Sequence, residues 1–315
     1  MKNLELNLAL KLRYSHGRLE SLSTAFSLLQ ALRPLQWIKN GFILIPLLFA
    51  RRVFHYPSLL QSLEAVAIFC LLAGSVYLIN DLMDLESDRN HPSKRLRPLA
   101  AGLLSPRIAK VTASVLLVSS LLWGAYLGKA FFLILLIYLS IQLLYSYRLK
   151  KVVILDIFCV SAGFFLRVIA GALAIDVMIS DWLIICTVLI SMFLALAKRR
   201  SELVLLGENG AGNHRKVLEQ YSLSLLDQMI VIITACTLLS YMLYCISPET
   251  VEKFKTNHMV ITSPFVLFGI FRYLYLIHKE IRGGSPEKVL LSDMPLLLSV
   301  ILWGLCCMLV AYGVL

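Results

Sequence analysis

Apolar residues gather into nine runs along the chain, near 33–50, 62–82, 108–126, 130–147, 153–175, 182–198, 227–247, 260–278 and 294–315. Runs of about 18 to 22 residues match a helix rising about 1.5 Å per residue through a hydrocarbon core roughly 30 Å thick. The roughly ten-residue alternation of a membrane β-barrel is absent. The pattern therefore predicts an all-α, polytopic membrane protein with about nine transmembrane helices. The first run, LRPLQWIKNGFILIPLLFA, is the weakest, because Lys39 and Asn40 interrupt its first half and Pro46 stands near its end. An eight-span arrangement stands beside the nine-span one.

Composition agrees with this reading. The 315 residues are 59% hydrophobic and 16% charged, with a mean hydropathy of +0.79, outside the range of soluble domains. Polar stretches between runs reach only about 30 residues, too short for an independent core. The chain accordingly reads as a cytoplasmic lead-in, residues 1–32, and a single membrane-embedded domain, residues 33–315. The lead-in lacks the uninterrupted apolar core of a signal peptide. Within it, LESLSTAFSLLQALRP fits either an amphipathic helix on the membrane surface, with Leu22, Phe26, Leu29 and Leu32 toward lipid, or a disordered tail.

Charge orients the spans. Most of the 30 Lys and Arg residues fall in loops on one side, while the other side holds Arg51, Arg52, Lys129, Lys253 and Lys255, and Arg167 and Arg272 fall inside runs. The positive-inside rule makes the basic side cytoplasmic, in an inner membrane, with the N-terminus cytoplasmic and the C-terminus outside. The net charge of +11 is then mainly a topological signal, and no nucleic-acid partner is needed to explain it. The seven cysteines form no C-x-x-C pair and read as small apolar residues.

The most informative segment is YLINDLMDLESDRNHPSKRLRPLAAG, residues 77–102. Asp81, Asp84 and Asp88 are spaced i, i+3, i+7, which at about 100° per residue predicts one stripe of carboxylates on a helix. Ionised carboxylates so close repel one another and need a counter-charge at a membrane helix end. Mg²⁺ supplies one, taking oxygen ligands from one or two carboxylates plus the phosphates of a substrate. Asn80 adds an amide able to orient a carboxylate or a substrate oxygen. The plainer alternative is a solvated acidic helix end paired with the basic run behind it. The full N-D-x-x-D-x-x-x-D at a span end favours the metal and phosphate site.

Basic residues supply the other half of the chemistry. Lys94, Arg95 and Arg97 sit between Pro92 and Pro98 in a loop suited to an anionic substrate, although topology alone accounts for part of this charge. Lys39 falls inside the first run, where a phosphate or the aspartates would serve as its partner. Arg167, in FFLRVIAGALA, lies deeper, with Asp156 about three turns earlier. A structural Arg–Asp or Arg–backbone lock and a substrate contact are both open for it, and Arg272 poses the same choice. In YSYRLKK, Tyr145 reads as an interfacial aromatic and Lys150 as a candidate phosphate contact. The sixth run ends in LALAKRRSELVLL, where Lys198, Arg199 and Arg200 make a helix end basic. Glu202 either pairs with Lys198 or joins the metal shell. The ENGAGNHRK loop beyond has no G-x-x-x-x-G-K-[ST], which argues against nucleotide hydrolysis.

Nine spans with N-D-x-x-D-x-x-x-D after the second resemble the UbiA-type superfamily of intramembrane prenyltransferases. The resemblance implies a UbiA-like helical bundle with its active site at the cytoplasmic side. It also implies Mg²⁺ held against a polyprenyl diphosphate by this motif and by a second aspartate-rich motif after the sixth span. Here the second position reads KRRSEL, without an aspartate. Together with LRPLQWIKN, residues 77–102 and LRVIAGALA, it is similar to a divergent branch, the decaprenyl-phosphate phosphoribosyltransferases, where a similar K-R-x-x-E-L occurs. That likeness covers most of residues 30–315. It implies transfer of 5-phosphoribose from phosphoribosyl diphosphate to a polyprenyl phosphate, release of pyrophosphate, and a product that feeds lipid-linked arabinose donors for envelope polysaccharides.

On this reading Asp81, Asp84 and Asp88 hold Mg²⁺ and Lys39 steers the lipid phosphate. Asn80, Lys94, Arg95, Arg97, Lys150, Arg167, Lys198, Arg199, Arg200 and Glu202 are the remaining candidates around the substrates. Two other readings stay open. One is a conventional UbiA prenyltransferase with an aromatic acceptor, against which the missing second aspartate motif counts. The other is a transporter or scaffold with a cytoplasmic metal site, for which no pair of broken helices speaks. A homo-oligomer is compatible with the sequence.

Overall fold

The computed structural model describes residues 24–90, 94–206, 216–279 and 285–314. Their regular structure is helical throughout, and eight helices are long and apolar enough to cross a membrane. In chain order these are α1 Tyr56–Met83, α2 Pro106–Leu127, α3 Lys129–Tyr147, α4 Leu155–Ala174, α5 Asp181–Leu206, α6 Leu223–Ile246, α7 Ser263–Lys279, which spans together with the 3₁₀ turn His258–Thr262 before it, and α8 Met294–Ala311. The protein is thus a multi-pass membrane protein. Helix starts follow local chemistry: the Ser222 side chain caps α6 by accepting from the Leu225 N–H, and Asp293 caps α8 by accepting from the Leu296 N–H.

The run at 33–50, the expected ninth span, is not among the eight. It forms a 3₁₀ helix, Pro34–Leu44, followed by a short α-helix, Ile45–Phe49. Pro34 and Pro46 each lack a backbone donor, and the polar Lys39 and Asn40 find partners away from lipid, so a regular apolar helix does not form. A 3₁₀ stretch of this length is uncommon on its own. Its supports come from α4. Buried Arg167 donates from Nε to Asn40 Oδ1 (2.8 Å), from Nη1 to the Gly163 carbonyl (2.8 Å) and from Nη2 to the Tyr138 hydroxyl (2.9 Å). Its guanidinium also lies 4.9 Å from the Tyr138 ring centre and over Phe69 and Phe164. Arg167 is therefore locked to an amide and a backbone carbonyl, and Asp156, the acidic partner considered from sequence, pairs elsewhere. One turn along α4, Gly171 lets the backbone of Ile43 approach so closely that an added Cβ would collide with its carbonyl oxygen.

Contacts cluster the chain into two compact units. Among the described residues the first comprises 24–37 and 70–121, and Ala31, Leu78, Leu99, Leu104, Ala109 and Ala113 form its core. Residues 24–31 are helical, as the amphipathic alternative has it. Phe26 and Leu29 turn outward, whereas Leu32 packs inward against that core, so the lipid-facing set expected from sequence loses Leu32. Leu22 lies outside the described residues.

The second unit comprises 38–69 and 122–314, with its core packed between α4, α5, α6, α7 and α8. Two arginines of the sparsely basic loops cap helix ends here. Arg51 donates to the carbonyls of Ala311 and of Phe254 (3.2 Å), and Arg52 donates to that of Ile175 (2.7 Å). A cation at a helix C-terminus satisfies carbonyls that have no partner within the helix.

Gly171→Ala is expected to cost about 1 to 3 kcal/mol by overpacking, read as a lower melting midpoint in detergent. Gly304→Ala, where the new Cβ meets open space, should leave the midpoint unchanged or slightly raised. Equal melting of the two variants would refute the close packing of Ile43 on α4.

Candidate active site

Each unit carries its own polar cluster. In the first, α1 ends at Met83, and Asp84 turns the chain into the short helix Leu85–Arg89. The three aspartates therefore do not share one continuous helix, which corrects the stripe expected from spacing. Backbone bonds from Asp84 N–H to Asn80 O (2.9 Å) and from Asp88 N–H to Asp84 O (2.7 Å) carry the helical path across the break. Asp81 and Asp88 consequently still converge, each 2% exposed. Arg97 Nη1 bridges them, 3.0 Å from Asp81 Oδ1 and 2.6 Å from Asp88 Oδ2.

Arg33 Nη2 adds a second cation 2.5 Å from Asp81 Oδ1, and its guanidinium lies 5.0 Å from the Tyr77 ring centre. Sequence reasoning counted Arg33 only as topological charge. Its place directly before Pro34 at the start of an apolar run was the available signal, and its φ of +55° is unusual for a residue with a Cβ. Lys94 and Arg95 open the 3₁₀ turn Lys94–Leu96, with Arg95 exposed and Lys94 half-buried.

Two acceptors in this cluster remain unused. Asn80 Oδ1 and Asp88 Oδ1 are buried and accept no hydrogen bond among the described residues. Among those residues no three Asp, Glu, His or Cys side chains stand close enough to hold an ion by themselves. Convergent carboxylates plus an orphaned amide oxygen fit a hard cation that keeps waters and completes its shell with substrate phosphates, the usual habit of Mg²⁺.

In the second unit the basic end of α5 resolves into separate jobs. The Arg199 side chain is 3% exposed. It donates from Nε to Asp156 Oδ2 (2.6 Å), from Nη1 to Glu202 Oε2 (2.8 Å) and from Nη2 to the Tyr145 hydroxyl (3.2 Å). The Tyr221 hydroxyl donates to Asp156 Oδ1 (2.8 Å) and accepts from the Ile154 N–H (2.6 Å). Burial, reinforced by the Asp156 carboxylate, pushes the Tyr221 phenol above its ordinary range, so it stays a neutral donor. Arg200 Nε is paired with Asp227 (2.5 Å) and its Nη1 with the Ile277 carbonyl (3.1 Å). Lys198, 40% exposed and 3.9 Å from Glu202, is the member of the basic trio most open to solvent. Glu202 thus pairs with both Lys198 and Arg199. Lys150 is half-buried in the 3₁₀ turn Leu149–Lys151. Tyr221 and Asp227 were not picked out from sequence, because nothing in their spacing announces a partner many residues away.

A cavity of about 450 Å³ runs through the same unit. Its wall follows α5 from Trp182 to Leu194, about 18 Å of helix. Phe42, Phe164, Phe193, Tyr241 and Trp303 make the lining largely apolar and aromatic. The charged residues on the wall are Lys39 and Glu287, with Lys39 Nζ 3.6 Å from Glu287 Oε2. Glu287 belongs to the short helix Pro286–Ser292 and is 7% exposed. An apolar chamber with a few placed polar groups is the usual form of a small-molecule site.

The model of the UbiA prenyltransferase family matches residues 42–283. The chain belongs to the UbiA prenyltransferase family. This UbiA-family chain is 35% identical to the decaprenyl-phosphate phosphoribosyltransferase of Mycolicibacterium smegmatis over 88% of its own length and 89% of that protein. It is 32% identical to the enzyme of the same name from Corynebacterium glutamicum, over 91% and 87%. The solved structure of a UbiA homolog from Archaeoglobus fulgidus bound to GPP and Mg²⁺ shares the fold, with a TM-score of 0.70 at 20% identity over 91% of this chain and 99% of that one. Lys39 and Glu287 lie on either side of the segment that matches the family model.

Asp156→Asn in this UbiA-family chain leaves Arg199 short of a buried counter-charge, at an expected cost of about 3 to 5 kcal/mol. Tyr221→Phe removes two hydrogen bonds, one to the Asp156 carboxylate and one from the Ile154 N–H, at about 2 to 3 kcal/mol. Melting in detergent should rank the two variants in that order, and the reverse order would refute the pairing.

Proposed function

We propose that this protein transfers the 5-phosphoribosyl group of phosphoribosyl diphosphate to a polyprenyl phosphate and releases diphosphate. The observation that carries the reading is the basic end of α5, where Arg199 and Arg200 are held in close ion pairs and Lys198, 3.9 Å from Glu202, is the most exposed cation of the three. A sugar that bears both a diphosphate and a second phosphate asks for a direct cation there, because carboxylates would repel that phosphate unless a further metal intervened. Near full-length likeness to decaprenyl-phosphate phosphoribosyltransferases supports the same assignment. The basic loops, on the positive-inside rule, would face the cytoplasm, where a water-soluble donor is available.

In this mechanism Asp81, Asp84 and Asp88, helped by the Asn80 amide oxygen, would hold Mg²⁺. When bound, Mg²⁺ would neutralise charge on the departing diphosphate. Arg33 and Arg97, which otherwise neutralise Asp81 and Asp88, would turn their forks to phosphate oxygens. Lys198 would bind the phosphate on the ribose, with Arg199 and Arg200 as positioning residues. The apolar cavity would take the prenyl chain and Lys39 the lipid phosphate. An ionised oxygen of that phosphate then bonds to the anomeric carbon as the bond to diphosphate breaks. A phosphate monoester is already charged at neutral pH, so catalysis rests on placement and electrostatics.

The test uses purified protein in detergent with Mg²⁺. Labelled phosphoribosyl diphosphate plus polyprenyl phosphate should carry label into the lipid phase, and polyprenyl diphosphate plus 4-hydroxybenzoate should give nothing. Asp81→Asn should lose at least about 100-fold in rate while accumulating normally. Product in the second mixture alone would overturn the reading in favour of an ordinary prenyltransferase.

A further inference from the structure

We propose that Lys39, Tyr273 and Glu287 form a head-group subsite for a lipid phosphate monoester, and that Glu287 makes this subsite discriminate against lipid diphosphates. The inference rests on the phosphoribosyl-transfer reading and names what that reading leaves open, namely how the protein tells its acceptor lipid from the diphosphates that related enzymes bind.

All three residues line the cavity. Glu287 is 7% and Tyr273 4% exposed, yet Glu287 Oε2 and the Tyr273 hydroxyl make no hydrogen bond among the described residues. Buried polar atoms are almost always satisfied, so an orphaned Tyr273 hydroxyl beside a loosely closed ion pair on one apolar wall points to a ligand. Lys39 Nζ, at 3.6 Å, reaches Glu287 Oε2 as an ion pair without closing to hydrogen-bond distance. Lys198 and Arg167 are the other cations whose charge reaches Lys39.

The ligand must bring acceptors for the Lys39 ammonium and the Tyr273 hydroxyl, and a donor for the Glu287 carboxylate. A phosphate monoester supplies both kinds. Its second ionisation falls near pH 6 in water, and a water-poor wall favours the less charged form. The monoanion then presents ionised oxygens to Lys39 and Tyr273 and a P–OH to Glu287. A diphosphate adds negative charge beside the same carboxylate with no further cation from the three residues.

Binding of labelled farnesyl monophosphate to the full-length protein in detergent, competed by unlabelled farnesyl monophosphate or diphosphate, tests this directly. Wild type should prefer the monophosphate at least about tenfold, and Glu287→Gln should shrink that ratio to within about threefold, since a hydrogen bond to a charged group is worth roughly tenfold or more. Tyr273→Phe should weaken monophosphate binding about tenfold without lowering the melting midpoint, because its hydroxyl has no partner to lose. An unchanged ratio in Glu287→Gln, or no preference in wild type, would overturn the subsite. Should Glu287→Gln fail to accumulate, the wild-type ratio and Tyr273→Phe decide. Selective binding without phosphoribosyl transfer would refute the proposed reaction and leave the subsite standing, while transfer without selectivity would refute the subsite alone.

Discussion

An ionised side chain inside a membrane protein is tolerable only beside an opposite charge or a full set of hydrogen bonds. In the second unit this constraint turns charges into cross-links between helices. Asp156–Arg199 ties the start of α4 to the end of α5, and Arg200–Asp227 ties α5 to α6. Arg272 and Asp293 tie α7 to the start of α8, with a second Arg272 contact to the same carboxylate at 3.1 Å. Arg167–Asn40 fastens the 3₁₀ segment to α4 by the same logic, with an amide in place of a charge. Lipid offers no hydrophobic drive for helix association, so such polar contacts carry specificity that a soluble protein would draw from its core.

The same constraint divides labour within one motif. Lys198, Arg199 and Arg200 are adjacent in sequence, yet a helix turns each by about 100° and hands it a different neighbour. All three reach carboxylates on other helices or on their own, but the lysine, 3.9 Å from Glu202, is the most loosely held and the most exposed. In the first unit Arg33 and Arg97 do for Asp81 and Asp88 what Asp156 does for Arg199. They let like charges converge, so the Asp81 and Asp88 carboxylates are gathered at one place.

Hydropathy made the eight long helices legible, because apolar length is a property of the segment itself. The run at 33–50 failed for a reason also visible in it: Lys39, Asn40 and Pro46 deny it a regular helix, and its shape is set by Arg167 and Gly171. The aspartate motif was legible by spacing, while the break at Asp84 was not, since i→i+4 bonding continues through it. Partner choice was the least legible. Asp156 and Arg167 share a helix but stand about 16 Å apart along its axis, too far to pair, and the true partner of Asp156 is 43 residues away. Glu287 and Tyr221 gave no signal because their roles exist only in the folded chain.

Distance and surroundings separate the ion pairs that build the fold from the looser one on the cavity wall. Arg199 meets Asp156 at 2.6 Å in full burial, with each charge held by further hydrogen bonds, and taking either away strands the other. Lys39 stands 3.6 Å from Glu287, on the wall of a cavity, with the facing oxygen otherwise unpartnered. Glu287 therefore acts as a resident counter-ion, which keeps Lys39 charged in a mostly apolar wall at a tolerable desolvation cost. On the proposed reading a phosphate monoester joins the pair, taking Lys39 as its cation and giving its P–OH to the Glu287 carboxylate, so no buried charge is left without a partner. In that reading the loose pair lets Lys39 take a second anion, and the carboxylate that stays beside it is what would disfavour a diphosphate.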